Sequence, residues 1–332
     1  MRLDAPLSGE SALIERIAAR CVLPTHSGAV SLVRGIGDDT AVLQVGEQTL
    51  LWTADMLVEG VHFRLDWIDP ASLGWKALAV NLSDIAAMGG VPVGALLSIA
   101  LPPERTGDWL EAFLNGFLEC AHAYDAALIG GDTNRAEQVA VDVSVLGRVA
   151  GAPVTRDGAA VGDWLMVTGA LGGSRAGLEA LLEGAWDTVD LTPHFRPAPR
   201  LQAGALAQAQ GATAMMDLSD GLAADLPKLL RASGKGAIVY AERVPIHPVA
   251  QRWTQARGLD PLSFAIAGGE DYELLLAAPP AVGQRLLEQA PEATGAPLSV
   301  IGEVIAEPEL WLQYPDGRRE SFARMGWDHF AE

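Results

Sequence analysis

Residues 216–226 read MDLSDGLAADL, and residues 80–90 read VNLSDIAAMGG. Each carries Leu-Ser-Asp followed by a small, apolar run of the kind that opens a helix, and the two copies stand far apart in a chain of 332 residues. A single hydrophobic core rarely grows beyond about 250–300 residues, so two domains are expected. A carboxylate in the same frame in each half is then a candidate for one site shared between them.

Outward from these frames, strand-like and helix-like runs alternate. TAVLQV (40–45) and QTLLWTADML (48–57) suit strands, while PASLGWKALAVNLSDIAAMG (70–89) has helical spacing and breaks at glycine. GALLSIAL (94–101) reads as a strand, GDWLEAFLNGFLECAHAYD (107–125) as an amphipathic helix, and 126–149 as two strands around a loop. The order β-β-α-β-α-β-β predicts an α+β unit over 1–150. The Gly-rich connector APVTRDGAAVGDW (152–164) marks the boundary, and 151–332 restarts as a second domain. There, strands at 163–169, 237–244, 298–305 and 310–315 flank helices at 174–184 and 201–211 and a further helix ending near 231–236.

Composition narrows the function. Hydrophobic residues make up 49%, enough for a folded globular protein. The formal charge of -19 comes from 42 acids against 23 bases, of which three are lysine. Such a surface repels phosphate backbones, so no nucleic-acid partner is expected; a nucleotide can still bind if divalent cations stand between the anions. Cys21 and Cys120 form no metal or redox motif and read as buried free thiols. SGES before ALIERIAA (8–19) reads as a helix cap, not a secretion signal. The most apolar run, 85–103, is interrupted by Gly89, Gly90 and Pro92, so no membrane span is expected and a cytoplasmic protein is the default.

Five short acidic motifs lie beside glycine or small residues: GIGDDTAV (35–42), TADMLVEGVHF (53–63), NLSDIAAMGG (81–90), IGGDTNRA (129–136) and DLSDGLAADL (217–226). Taken singly, each is open to a turn or helix-cap reading. Taken together in a chain with so few cations, they suit Mg²⁺, which prefers oxygen ligands shared with waters and substrate phosphates. Other signatures are missing. There is no G-x-x-x-x-G-K-[ST] loop, no EF-hand, no zinc spacing and no G-x-S-x-G nucleophile. TGALGGS (168–174) has the wrong glycine spacing for a dinucleotide loop and reads as tight strand-to-helix packing.

GIGDDTAVL, TADMLVEGVHF, KALAVNLSDIAAMGGVP, LIGGDT, DLSDGL and GGEDYELL, in this order, resemble the thiamine-monophosphate kinase family. That family lies within the ATP-binding superfamily that includes aminoimidazole ribonucleotide synthetase. The likeness runs from about Gly35 to GWDHF (326–330). It implies transfer of the γ-phosphoryl group of ATP to thiamine monophosphate, and a homodimer whose N-terminal domains pair into a central β-barrel. Matched motif by motif, it implies metal ligands at Asp39, Thr53, Asp55, Asp84, Asp132, Asp217 and Asp220. It adds Ala54 through its backbone carbonyl and leaves Asp38 open. Gly131, Asp132, Arg156 and Ser219 match the ATP side; His62, Glu270 and Trp327 match the thiamine-phosphate side. No catalytic general base is implied. Rival expectations are a selenophosphate-synthetase-like or hydrogenase-maturation-like relative, and a non-catalytic Mg-nucleotide sensor.

Overall fold

The structure, a computed structural model, describes residues 10–21 and 29–322. In the first half, α1 (Glu10–Ala18) precedes β1 (Val30–Arg34), β2 (Ala41–Val45), β3 (Gln48–Val58), α2 (Pro70–Ala87), β4 (Val91–Leu101), α3 (Asp108–Ala123), β5 (Ala127–Arg135) and β6 (Ala140–Val149). The second half runs β7 (Trp164–Thr168), α4 (Gly173–Leu182), α5 (Thr192–Phe195), α6 (Leu201–Gln210), β8 (Ala214–Asp217), α7 (Leu222–Ser233) and β9 (Gly236–Tyr240). It closes with α8 (Pro248–Arg257), α9 (Pro261–Ile266), β10 (Leu274–Ala278), α10 (Pro280–Thr294), β11 (Leu298–Ile305), β12 (Leu310–Gln313) and β13 (Arg319–Ser321). The expected order from Thr40 to Val149 is present, with α1 and β1 ahead of it.

The strands form two sheets. One has the order β1-β2-β3-β6-β4-β5, the other β13-β12-β9-β11-β7-β10-β8. Neighbours are antiparallel except β4 with β5 and β12 with β9. Among the described residues the first sheet is open: it carries α2 and α3 on one face and does not close on itself. On its other face Trp52, Met56 and Leu96 are exposed at 50%, 54% and 41%. In the second sheet both faces are covered, which explains its continuous apolar strands. Leu165, Val167, Met216, Leu275 and Ala277 pack on the α7 side. Met166, Met215, Leu274 and Leu276 point the other way and join the core around α2.

α2 therefore lies between the two halves. Asp69 caps its start by accepting from the Ser72 amide, and Pro70 begins its first turn. Leu73, Ala77, Leu78, Leu82, Ile85 and Ala86 are almost fully buried, as expected of a helix that is apolar on nearly every side. The connector 152–164 is no loose tether either, since Val154 and Asp163 are buried.

Two expectations need correction. The repeated Leu-Ser-Asp frames are not equivalent: Ser83 and Asp84 sit in the closing turns of α2, which ends before Gly89, whereas Asp217 ends β8 and Ser219–Gly221 form the turn into α7. Gly221 has φ 99°, and a Cβ there would lie 2.6 Å from the Gly268 carbonyl oxygen, so the second frame is a strand-to-helix turn that the first cannot share. The other concerns Cys21, which is exposed just after α1; Cys120 is buried as expected. None of the described helices is long and apolar enough to cross a membrane.

Candidate functional site

Strand alternation aims the acids. On β3, Leu51, Thr53 and Leu57 turn toward α2, and Asp55 shares their side of the strand. On β8, Met215 faces the α2 core, so Asp217, two residues on, projects the same way. Asp39 enters from the loop before β2. One oxygen each from Asp39, Asp84 and Asp217 lies within 4.8 Å of the others. Three separate stretches of chain thus place carboxylates on one point.

Neighbouring polar groups hold them. Thr53 Oγ1 donates to Asp84 Oδ2 at 2.6 Å, and Ser83 Oγ donates to Asp217 Oδ2 at 2.7 Å. Asn81 accepts from the Asp55 amide at 2.9 Å and ties β3 to α2. Arg156 from the connector grips Asp39 with Nη2 at 2.5 Å and Nε at 3.3 Å. Asp38 faces Arg34 at 3.0 Å rather than the cluster, and burial, then Asp39, push it up to about 6.

Asp84 and Asp217 have no basic side chain in hydrogen-bond contact among the described residues. Burial pushes both carboxyls well above the usual range; Asp55 and Asp217 add to this at Asp84, and Asp39 adds to it at Asp217. Crowded, desolvated acids either take up protons or share a cation. The donors are all oxygen, and the hydroxyl of Thr40, next to Asp39, is buried without a hydrogen-bond partner. This set fits a hard divalent cation.

Not every expected residue joins this point. Asp132 is exposed on β5, accepts from Asn134 Nδ2 at 2.7 Å, and is registered with Ser98, whose row of the sheet faces away from α2. Gly131 beside it has φ 154°, and a Cβ would meet the Leu97 carbonyl oxygen at 1.7 Å, so strand packing alone demands glycine there. Ala54 registers with Ser144 on the outward row. Asp220 is held by Lys228 at 2.5 Å, in a trio completed by Asp225 at 2.8 Å from the same ammonium. Lys228 thus faces both Asp220 and Asp225, and Asp220 is not one of the three acids that meet at one point. Trp327 lies outside the described residues.

Beside the acids is a second group. The turn after β8 and the loop before β10 are zipped together: Glu270 N donates to Ser219 O at 2.7 Å and Tyr272 N to Leu218 O at 3.0 Å. Glu270 and Tyr272 both have positive φ, 61° and 50°, which is uncommon outside glycine and concentrates at functional loops. The Glu270 carboxylate lies 3.0 Å from Lys76 Nζ and 3.4 Å from His194 Nδ1. Burial pushes it upward, but Lys76, His194 and His62 outweigh that and hold it below its ordinary value. His62 Nδ1 accepts from the Val58 amide at 3.0 Å. Burial, then the charges of Glu270, Asp55, Asp217 and Asp84, raise the Tyr272 phenol.

Thr40, Lys76, His194 and Tyr272 were missed in the sequence. Lys76 had a signal: it is the one basic residue of a largely apolar helix. The TGALGGS loop is also explained. Asp271 accepts from the Gly172 and Ser174 amides at 2.6 and 3.2 Å, so the start of α4 is filled by the protein's own carboxylate.

Comparison with known proteins follows the same outline. Residues 37–149 match the family model described as AIR synthase related protein, N-terminal domain, and residues 160–314 match its C-terminal counterpart. The thiamine-monophosphate kinase of Salmonella typhimurium is 40% identical over 332 residues, covering 97% of this chain and 98% of the relative. That of Escherichia coli K12 is 39% identical with the same coverage. The solved structure of AaThiL complexed with AMPPCP and TMP superposes with a TM-score of 0.83 at 33% identity, covering 97% of each chain.

Proposed function

This chain belongs to the thiamine-monophosphate kinase family of AIR synthase related proteins, and on that premise we propose that it transfers the γ-phosphoryl group of ATP to thiamine monophosphate, giving thiamine diphosphate and ADP. The observation that carries the reading is the convergence of Asp39, Asp84 and Asp217 from three elements on one point, next to a second, differently built group around Glu270. The AaThiL complex, which holds AMPPCP and TMP, supports the choice of donor and acceptor.

Asp39, Asp84 and Asp217 would hold magnesium, with Asp55 and the hydroxyls of Thr53 and Thr40 beside them, and a cation held there would offset the negative charge of phosphate oxygens. Asp220, three residues beyond Asp217, serves that group from its edge, whereas Asp132 and Ala54, on the outward row of the sheet, are given no part in it. Arg156, Ser219 and Gly131 address the nucleotide. His62, Glu270 and Trp327 address the acceptor, where a carboxylate accepts from an aminopyrimidine and an indole face suits a cationic ring.

The acceptor oxygen is ionised at neutral pH, so no general base is required. The barrier is electrostatic: two unit charges about 4 Å apart repel by roughly 4 kcal/mol at an effective dielectric near 20. Arg156 supplies fixed positive charge, and the acid cluster fixes the geometry for direct in-line transfer without a phosphoenzyme. A homodimer completes the proposal. The uncovered face carrying Trp52, Met56 and Leu96, with the long exposed edge strand β5, suits a second copy that closes the open sheet into a barrel. We place the reaction in the cytoplasm, where ATP is held.

The test is the purified protein with ATP, Mg²⁺ and thiamine monophosphate, and free thiamine as control, following thiamine diphosphate. Turnover of free thiamine alone would remove the assigned acceptor; nucleotide binding with no turnover of either would favour the sensor.

A further inference from the structure

We propose that Lys76 is a positioning residue of the acceptor pocket, holding the Glu270 carboxylate in the pose that receives thiamine monophosphate; this rests on the acceptor reading above. Lys76 is 1% exposed, the one fully buried lysine of the three, and sits on a helix whose other buried positions are uncharged, all but Asn81 apolar or small. An ammonium group in such a place is costly unless it is paired. Its salt-bridge partner is Glu270, at 3.0 Å from Oε1. The other oxygen, Oε2, turns to His194 Nδ1 at 3.4 Å, and Ser174 Oγ is 2.9 Å from that same nitrogen.

The carboxylate is gripped from behind and stays open in front, with 27% of the side chain accessible. Its backbone is fixed as well, by the left-handed φ of 61° and the bond from its amide to Ser219. Nothing in packing requires this arrangement: a methionine at position 76 would fill the same space with no charge to satisfy.

The helix also links both ends of the reaction. Lys76 and Ser83 are seven residues apart, two turns along one face of α2 and about 10 Å in rise. Ser83 donates to Asp217 of the acid cluster at 2.7 Å. A single rigid element thereby sets the distance between the phosphate end and the acceptor end. Without Lys76, Glu270 is a half-buried carboxylate free to rotate or to take up a proton.

Two measurements test this. In steady-state kinetics, Lys76→Met should raise KM for thiamine monophosphate about tenfold or more while KM for ATP stays within about twofold, and K76M/E270Q should be no worse than E270Q alone. Equal changes in both KM values, or additive losses, would overturn the proposal, because a merely structural pair acts on the whole fold. The second measurement spares the fold. Lysine labelled with ¹³C at Cε gives three signals in the full-length protein, assigned with K235R and K228R. The Lys76 signal should shift when thiamine monophosphate is added, not when ADP is added, and the shift should vanish in E270Q. An active wild-type protein whose Lys76 signal ignores thiamine monophosphate overturns this inference alone. A wild type that turns over no thiamine monophosphate overturns the acceptor reading and this inference with it.

Discussion

Asp84→Asn separates stability from function at the acid cluster. The oxygens of Asp39, Asp84 and Asp217 lie within 4.8 Å of one another. At that spacing and an effective dielectric near 20, each ionised pair repels by roughly 3.5 kcal/mol, so the substitution relieves two pairs, or roughly 7 kcal/mol. Much of that strain is already discharged in the metal-free wild type, because burial, then Asp55 and Asp217, push Asp84 well above the usual carboxylate range. A net gain of about 1–3 kcal/mol remains, seen as a rise of roughly 2–8 °C in Tm. Asparagine keeps an oxygen to accept from Thr53, so the local hydrogen bond survives. Calorimetry at pH 8 should show D84N melting above wild type in chelator and losing most of the Mg²⁺-induced stabilisation. Turnover should fall by about 10³ or more, since the charge that gathers cations is gone. If D84N melts below wild type in chelator and gains as much from Mg²⁺, the cluster is not a strained cation site and the reasoning fails.

Further outcomes follow from other residues. Burial, with Lys76 next, pushes His194 down to about 3 from 6.5, so the unfolded chain binds a proton that the folded one refuses. Stability should therefore fall as pH drops from about 6.5 toward 3, by up to about 1.4 kcal/mol per pH unit. His194→Gln removes that loss, so between pH 6.5 and 5 the variant should lose about 2 kcal/mol less than wild type in chemical denaturation; parallel curves would contradict it. Arg156→Met should raise KM for ATP about tenfold and destabilise the metal-free protein by about 1–3 kcal/mol, because Asp39 is left buried without its guanidinium. Unchanged nucleotide affinity would remove Arg156 from the ATP side. Met56→Glu, at a position 54% exposed on the uncovered sheet face, should halve the mass seen by sedimentation equilibrium; an unaltered mass would place the dimer contact elsewhere.

Much of the fold was legible because its signals are local. Alternating apolar residues mark β2 and β3, the 3.6-residue spacing over 70–89 marks α2, and glycine ends it where expected. The acidic motifs were legible for a similar reason: carboxylates beside small residues stand out in a chain with three lysines, and three of the five motifs supply the acids that meet in a group able to hold a metal ion. The mistake over the two Leu-Ser-Asp frames has an equally local origin. A tripeptide says which side chains are present, not whether the backbone is leaving a helix or entering one.

The rest depended on distance across the chain. Asp39, Asp84 and Asp217 meet because β8 points Asp217 at α2 and the loop before β2 folds over the same spot, and no periodicity encodes that meeting. Asp132 carries as persuasive a motif, yet the register of β5 with β4 turns it to the other row of the sheet. The buried pair of Lys76 and Glu270 joins residues from opposite halves. Its strength comes from water being shut out on every side but one, and exclusion of solvent belongs to the packed molecule, not to any stretch of the chain.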